Sequence, residues 1–303
     1  MGDGEYDVMI LGSGPAGLQA AIHAARAKAS VLVLGRPQTS SLYRAHIENY
    51  CCMGKVAGED LLREGRNQAE RYGAGFSHED VVKLWREDPW FLIRTETGAS
   101  LRTRTLIFAM GVSRNKLNAP GEKELLGRGV SYCVECDANF FRGQPVAVVG
   151  NGSAAATGAL TLLLFASEVH LVCYGLQVSD VLAHQVRQSS IHLHEDRKVT
   201  GILGEREVEG VALDDGARIE VKGVFIELGA KGAVGLAGEL GVTLDAQTMQ
   251  FIVTNKKQET NVPGVYAAGD VCGLPWQLAK AVGEGCVAGI EAAAYAKRMR
   301  AAV

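Results

Sequence analysis

Short apolar runs recur along this chain between segments of helical period, and at two places such a run ends in a glycine-rich turn that opens a helix. The first run, residues 6–11, passes directly into Gly12-Ser13-Gly14-Pro15-Ala16-Gly17 and an alanine-rich helix predicted to about residue 28. A strand is predicted over 30–34, ending at Gly35 and Arg36, and residues 37–49 are polar and irregular, a loop. Residues 59–72 set Leu61, Leu62 and Ala69 among charges, the pattern of an amphipathic helix. Runs at 81–85, 90–95 and 100–108 predict an antiparallel meander with Thr97-Gly98 as a turn, the last strand closing on Gly111. The turn-rich stretch 115–129 then places a domain crossing near 114.

Residues 145–149 repeat the opening pattern. They run into Gly150-Asn151-Gly152-Ser153-Ala154-Ala155, a helix to about 165 and a strand over 168–173, so the chain carries two dinucleotide-type units. Leu213-Asp214-Asp215-Gly216 predicts a hairpin turn and 221–228 a buried strand. The chain is expected to cross back near 246, because 263–268 is an apolar strand ending at Gly269-Asp270, followed by a helical segment over 276–299. The domains are therefore expected as 1–114 and 247–303 around an inserted 115–246.

Composition narrows the function classes. A chain of 303 residues can bury two cores, and 37 glycines suit several tight strand-to-helix turns. The net charge of -3, with cations scattered, points to no nucleic-acid groove and no anionic membrane surface. The first residues lack a signal-peptide pattern, and no apolar run reaches membrane-spanning length, so a cytoplasmic location is expected. Seven cysteines, an odd number over a long chain, argue against a secreted disulfide framework.

Only Cys133-Val134-Glu135-Cys136-Asp137 has redox spacing. Two thiols two residues apart can close a disulfide and pass on two electrons, and the adjacent carboxylate can manage the proton. Zinc is the competing reading, but a structural site needs four ligands and no second such cysteine pair occurs. Cys51 and Cys52 are adjacent, a strained geometry for pairing, and read as packing thiols. His192 and His194 share a strand face without an evident third ligand, and no metal site is expected.

The two glycine turns differ in what surrounds them. In the first, Gly12 permits the tight turn, Gly14 lets backbone approach a pyrophosphate and Gly17 lets helix and strand pack, so phosphates would sit on the helix N-terminus. The carboxylate that usually holds a ribose is missing after 30–34. In the second, no Lys or Arg occurs over 143–186, and the strand ends in Cys173-Tyr174-Gly175. A 2'-phosphate reader needs cations there, and an NAD ribose usually has an acid. The bland alternative is a degenerate scaffold in which Gly150 and Gly152 serve a bare turn.

With two such units, a Cys-x-x-Cys-Asp between them and the late Gly269-Asp270, the chain resembles the low-molecular-weight thioredoxin reductases over nearly its whole length. Ile47-Glu48-Asn49, Gly127-Arg128-Gly129-Val130-Ser131 and Ala166-Ser167-Glu168-Val169-His170-Leu171 are further matching pieces. The resemblance implies an α/β protein of two dinucleotide-binding domains, Rossmann-like with three-layer ββα architecture, working as a homodimer on a thioredoxin-like protein. It implies FAD on the first domain, held by the turn residues Gly12, Ser13, Gly14, Pro15, Ala16 and Gly17. Gly35, Arg36, Ser41, Leu42, Asn49, Gly111, Gly269, Asp270, Gln277 and Leu278 would complete that site. By the same resemblance Cys136 exchanges electrons with the flavin, Cys133 attacks the partner disulfide and Asp137 is the acid.

The departures concentrate on the electron inlet. Cys173-Tyr174-Gly175 stands where the family has His-Arg-Arg, Ala109-Met110-Gly111 replaces Ala-Thr-Gly, and Thr39-Ser40-Ser41-Leu42 replaces Gly-Gly-Gln-Leu. Trp276 replaces a family arginine and reads either as an ordinary packed side chain or as one that stacks on a second flavin, and Glu135 adds negative charge expected to raise the thiol pKa values. These losses resemble the family branch that dispenses with pyridine nucleotides. The donor is then ferredoxin or a second FAD at Gly150, Gly152, Ser153, Ala154 and Trp276, rather than NADPH. The alternatives are an NADPH- or NADH-dependent reductase and a non-enzymatic flavin-bound redox sensor.

Overall fold

The computed structural model describes residues 4–112, 116–132, 134–228, 232–246 and 248–301, with the side chains of Glu135 and Cys136 outside the description. The chain forms two units, 1–95 with 99–113 and 232–303, and 96–98 with 114–231. The first unit begins with β1 (Glu5–Leu11), α1 (Pro15–Arg26), β2 (Val31–Leu34), the short pair β3 (His46–Ile47) and β4 (Val56–Ala57), and α2 (Gly58–Arg71). It continues through β5 (Gly75–Ser77) and the meander β6 (Val81–Glu87), β7 (Trp90–Thr95) and β8 (Ser100–Phe108). Strand order is β5-β2-β1-β8-β7-β6, with β1 parallel to both β2 and β8. As a central strand, β1 is buried on both faces, which is why its sequence runs apolar without alternation.

Successive β1 side chains nonetheless go to different cores. Val8 and Ile10 pack with the alanines of α1, while Met9 and Leu11 pack with Leu84, Phe91 and Ile93 of the meander. Sheet, helix layer and meander thus give the three-layer arrangement expected from the sequence.

The second unit starts with β9 (Val130–Ser131) and the short α3 (Val134–Asp137), then β10 (Pro145–Val149), α4 (Ser153–Leu162), β11 (Glu168–Val172), α5 (Asp180–Gln188) and β12 (His192–His194). An antiparallel trio, β13 (Val199–Leu203), β14 (Gly210–Leu213) and β15 (Arg218–Ile219), precedes β16 (Gly223–Ile226). The parallel sheet runs β12-β11-β10-β16-β9. The turn predicted at 213–216 joins β14 to β15.

The chain rejoins the first unit at Gly232, earlier than the expected 246. The reason lies in α6 (Ala233–Glu239), whose Ala233, Leu236 and Ala237 bury in the meander core and whose Glu239 carboxylate accepts from the Leu84 N–H at 2.6 Å. Next, β17 (Val265–Ala267) pairs in parallel with the far half of β8, on the edge that β7 uses nearer its start. Finally α7 (Leu278–Ala301) lies directly on α1. A Cβ on Gly285 would stand 2.2 Å from the Ala16 carbonyl oxygen and one on Gly289 2.4 Å from that of Ala20, so this crossing needs glycine. Among the described residues no helix is long and apolar enough to cross a membrane.

Candidate functional site

The first glycine turn is built for a ligand's close approach. Gly12 has φ +114°, and a Cβ there would stand 2.3 Å from the Ala109 carbonyl oxygen. A Cβ on Gly17 would overlap the Gly12 carbonyl oxygen at 1.9 Å. Gly14 caps α1 without a side-chain hydrogen bond, Pro15 occupies the first helical turn and no acidic residue lies there. The first turn thus carries no carboxylate of its own against the positive end of the helix macrodipole, and its leading N–H groups have no partner within the helix. Buried beside them, the Ser13 hydroxyl has no hydrogen-bond partner. An orphaned donor, a glycine cradle and an uncapped helix start fit a diphosphate, the central piece of FAD.

Several other predicted residues gather around this turn. Gly35, with φ +135°, passes so close that its Cβ would be 3.5 Å from the Gly12 Cα. Arg36, just past β2, pairs with the buried carboxylate of Asp80 at 2.6 Å. Gly269, at φ +89°, would place a Cβ 2.9 Å from that of Ala16, bringing the Gly269-Asp270 corner against α1. The corner is fixed by Glu284, which accepts from the Gly269 N–H at 2.8 Å, and by Lys280, whose Nζ donates to the Gly269 carbonyl at 2.8 Å. These two residues escaped sequence reasoning. Their signal is an i,i+4 charge pair on an otherwise small-residue helix.

The Asn49 amide donates to the Gln277 side-chain oxygen at 3.1 Å, joining residues far apart in sequence just before Leu278 opens α7. Ser41 is exposed; the neighbour nearest Gly14 is Ser40, whose Oγ lies 3.3 Å from where a Gly14 Cβ would stand. Leu42 is half-buried, its carbonyl pressed against Gly58, and Gly111 turns at φ +66° into open space.

The second turn repeats the backbone without the readers. Gly150 has φ +154°, its Cβ position blocked by the Glu227 carbonyl at 2.0 Å, and Gly152 caps α4 with no side-chain hydrogen bond. Ser153 and Ala154 are buried in the first turn of α4. At the end of β11 the Cys173 side chain is buried and Tyr174 is exposed. The following loop is tied back by the Gln177 N–H donating to the Asn151 carbonyl at 2.7 Å.

The structure adds cations that the linear interval hides. The Arg197 N–H donates to the Cys173 carbonyl at 3.2 Å, and the Lys198 ammonium lies 4.6 Å from the Tyr174 ring centroid. Arg197 is held by Asp215 at 2.6 Å, whereas Lys198 is exposed. Trp276, in the first unit, is partly exposed.

Of the redox motif, Cys133 and the side chains of Glu135 and Cys136 lie outside the described residues. The backbone from Val134 to Asp137 forms α3, with the Val134 N–H donating to the Glu227 carboxylate at 3.1 Å. The Asp137 carboxylate accepts from the buried Ser131 hydroxyl at 2.6 Å. The sequence did not disclose these contacts of Glu227 and Ser131 with the motif, although Glu227 stands out as a charge ending an apolar strand.

One sequence reading changes. Cys51 and Cys52 are not packing thiols: both are exposed. His192 and His194 are joined across the sheet by His170, which hydrogen-bonds His194 at 3.1 Å and lies 3.3 Å from Glu168. Burial, opposed in His170 by Glu168, holds His170 and His194 below the usual imidazole pKa. Among the described residues no group of three such ligands is placed to hold a metal ion.

The family model for pyridine nucleotide-disulphide oxidoreductases matches residues 6–285. The chain belongs to that family. It is 37% identical over 302 residues to the thioredoxin reductase of Aquifex aeolicus, covering 95% of this chain and 92% of the relative. Among solved structures, it is similar to the atypical thioredoxin reductase TRi from Desulfovibrio vulgaris Hildenborough, with a TM-score of 0.82, 35% identity and coverage of 96% and 98% of the two chains. A ferredoxin-flavin thioredoxin reductase from Clostridium acetobutylicum aligns with a TM-score of 0.67, 31% identity and coverage of 98% and 99%. The chain is thus a flavoprotein disulfide oxidoreductase of the thioredoxin reductase type, and the sensor alternative falls away.

Proposed function

We propose that this enzyme passes electron pairs between FAD and the Cys133-Cys136 pair and on to a thioredoxin-like protein, drawing them from reduced ferredoxin or a second flavin rather than from NADPH. The observation that carries the donor reading is the end of β11, where a buried Cys173 and an exposed Tyr174 stand beside the second glycine turn. Arg197, whose backbone N–H reaches the Cys173 carbonyl, has its guanidinium paired with Asp215. A 2'-phosphate needs a free cationic fork at that place. The similarity to a ferredoxin-flavin thioredoxin reductase supports the same reading. Bound FAD accepts electrons singly or in pairs, which matches a one-electron donor to a two-electron disulfide.

The first turn would hold the diphosphate through the N–H groups of Ser13, Ala16 and Gly17 and the Ser13 hydroxyl. Asp270 would take the ribityl or phosphate side, and Gln277, set by Asn49, the ring. By family resemblance the enzyme is a cytoplasmic homodimer. Its Asp137, oriented by Ser131, supplies a proton when the Cys133-Cys136 disulfide takes up two electrons and opens to the dithiol. Ser131→Ala should lower disulfide turnover about 10-fold, the scale of one hydrogen bond to a charged group, with flavin content unchanged and Ser131→Thr restoring most of the loss; steady-state rates beside flavin spectra check it.

A second reading, NADPH or NADH as donor, is favoured by Lys198, an exposed cation beside Tyr174. Anaerobic mixing of the oxidised enzyme with NADPH and, separately, with reduced ferredoxin decides between them. The flavin-to-chain ratio then separates ferredoxin from a second flavin beside Trp276.

A further inference from the structure

The adjacent thiols of Cys51 and Cys52 are not used by the disulfide chemistry above, and their placement is specific. Tyr50 and Met53 close a turn through the Met53 N–H donating to the Tyr50 carbonyl at 3.2 Å, with the two cysteines at its centre. Cys52 has φ +65°, the left-handed region in which such a turn ordinarily carries glycine or asparagine. A side chain is thus kept where the backbone disfavours one. The result is a pair of exposed thiols whose sulfurs stand 3.5 Å apart.

That separation discriminates among thiol chemistries. A disulfide would pull the sulfurs in to about 2.05 Å across neighbouring Cα atoms, closer than disulfide-linked residues ordinarily sit. A soft atom bonded to both at roughly the 2.3 Å of a metal–thiolate bond needs an angle of about 100° at the present 3.5 Å spacing. Zinc would call for four ligands, and no cluster of three or more His, Cys, Asp or Glu ligands occurs among the described residues. Trivalent arsenic bearing one organic group is satisfied by two thiols alone.

We propose that Cys51 and Cys52 form a bidentate site for trivalent, thiol-seeking arsenicals. In the binding step two As–S bonds form and the As–O bonds break. The two thiol protons leave with the oxygen as water. Arsenic stays trivalent, and nothing is oxidised or reduced. Cys173 and Cys272 do not compete, because burial pushes their thiols up to about 11 and about 12.

The test uses the flavin-loaded full chain with Cys133→Ser and Cys136→Ser, which removes the other dithiol, titrated with phenylarsine oxide. Intact mass and thiol counts should show one phenylarsenic group per chain and two thiols consumed, reversed by excess small dithiol. Adding Cys51→Ser or Cys52→Ser should weaken binding by at least roughly 10²-fold, the low end of what a second linked attachment contributes. Peptide mapping of the adduct on the otherwise unaltered enzyme, with the Cys133-Cys136 pair held as its disulfide, should find it on 51–52, which keeps the test valid should a substituted chain fold poorly. No adduct at equimolar arsenical, an adduct unaffected by Cys51→Ser, or a Cys51–Cys52 disulfide present before the arsenical is added would each overturn the proposal.

Discussion

Cys136→Ser should leave the flavin bound and bring disulfide turnover down to the uncatalysed exchange rate, a loss of at least about 10³-fold, as for other nucleophiles that act as a unit with their partner. The same substitution should also trap chemistry. With Cys133 left as the attacking thiol and no resolving thiol beside it, the enzyme should form a stable mixed disulfide with a single-cysteine thioredoxin carrying an activated disulfide. Cys133→Ser should form none, while keeping Cys136 available to the flavin. Non-reducing electrophoresis of the two variants reads the asymmetry. Trapping through Cys136 instead would reverse the assigned roles, and turnover surviving both substitutions would move catalysis elsewhere. The asymmetry has a physical basis, since the attacking thiol must reach solvent and the exchanging one must reach the ring.

The second large effect falls on the flavin cradle. Gly17→Ala puts a methyl 1.9 Å from the Gly12 carbonyl oxygen, so β1 and α1 must part where the diphosphate would rest. Overpacking of this kind costs about 1–3 kcal/mol, equivalent to flavin binding roughly 5- to 150-fold weaker. Gly283→Ala is the matched control: it lies exposed on α7 with open space at its Cβ, and should keep full flavin content. Flavin released per chain after dialysis, with circular dichroism to confirm folding, measures both.

Much of this architecture is legible in the sequence, for physical reasons. Apolar runs such as 6–11 and 145–149 can be satisfied only as central parallel strands, and the glycines after them are forced by backbone contacts at Ala109 and Glu227. The site becomes less legible where distant segments meet. The Arg36–Asp80 pair, the Asn49–Gln277 bond and the reach of Glu284 and Lys280 to Gly269 join segments whose spacing carries no local period.

The return at Gly232 is hidden in the same way, because α6 is short and rich in glycine and alanine, and its burial is decided by Leu84 and its neighbours. Burial is likewise a property of the fold, and so Cys51 and Cys52, apolar by type, turn out exposed. Most instructive is Lys198. An interval empty of cations in sequence is not empty in space, since β12 carries the chain back past Tyr174. The donor assignment accordingly rests on the chemistry of Cys173, Tyr174 and the occupied Arg197, and not on the interval alone.

The measurement that tests the account most directly is anaerobic stopped-flow of the oxidised enzyme against excess NADPH, followed by the flavin's visible absorbance, with reduced ferredoxin as the comparison. The account predicts that NADPH leaves the flavin oxidised over many turnover times and that reduced ferredoxin bleaches it, followed by appearance of the dithiol. Flavin reduction by NADPH at or above the rate of disulfide turnover would contradict it.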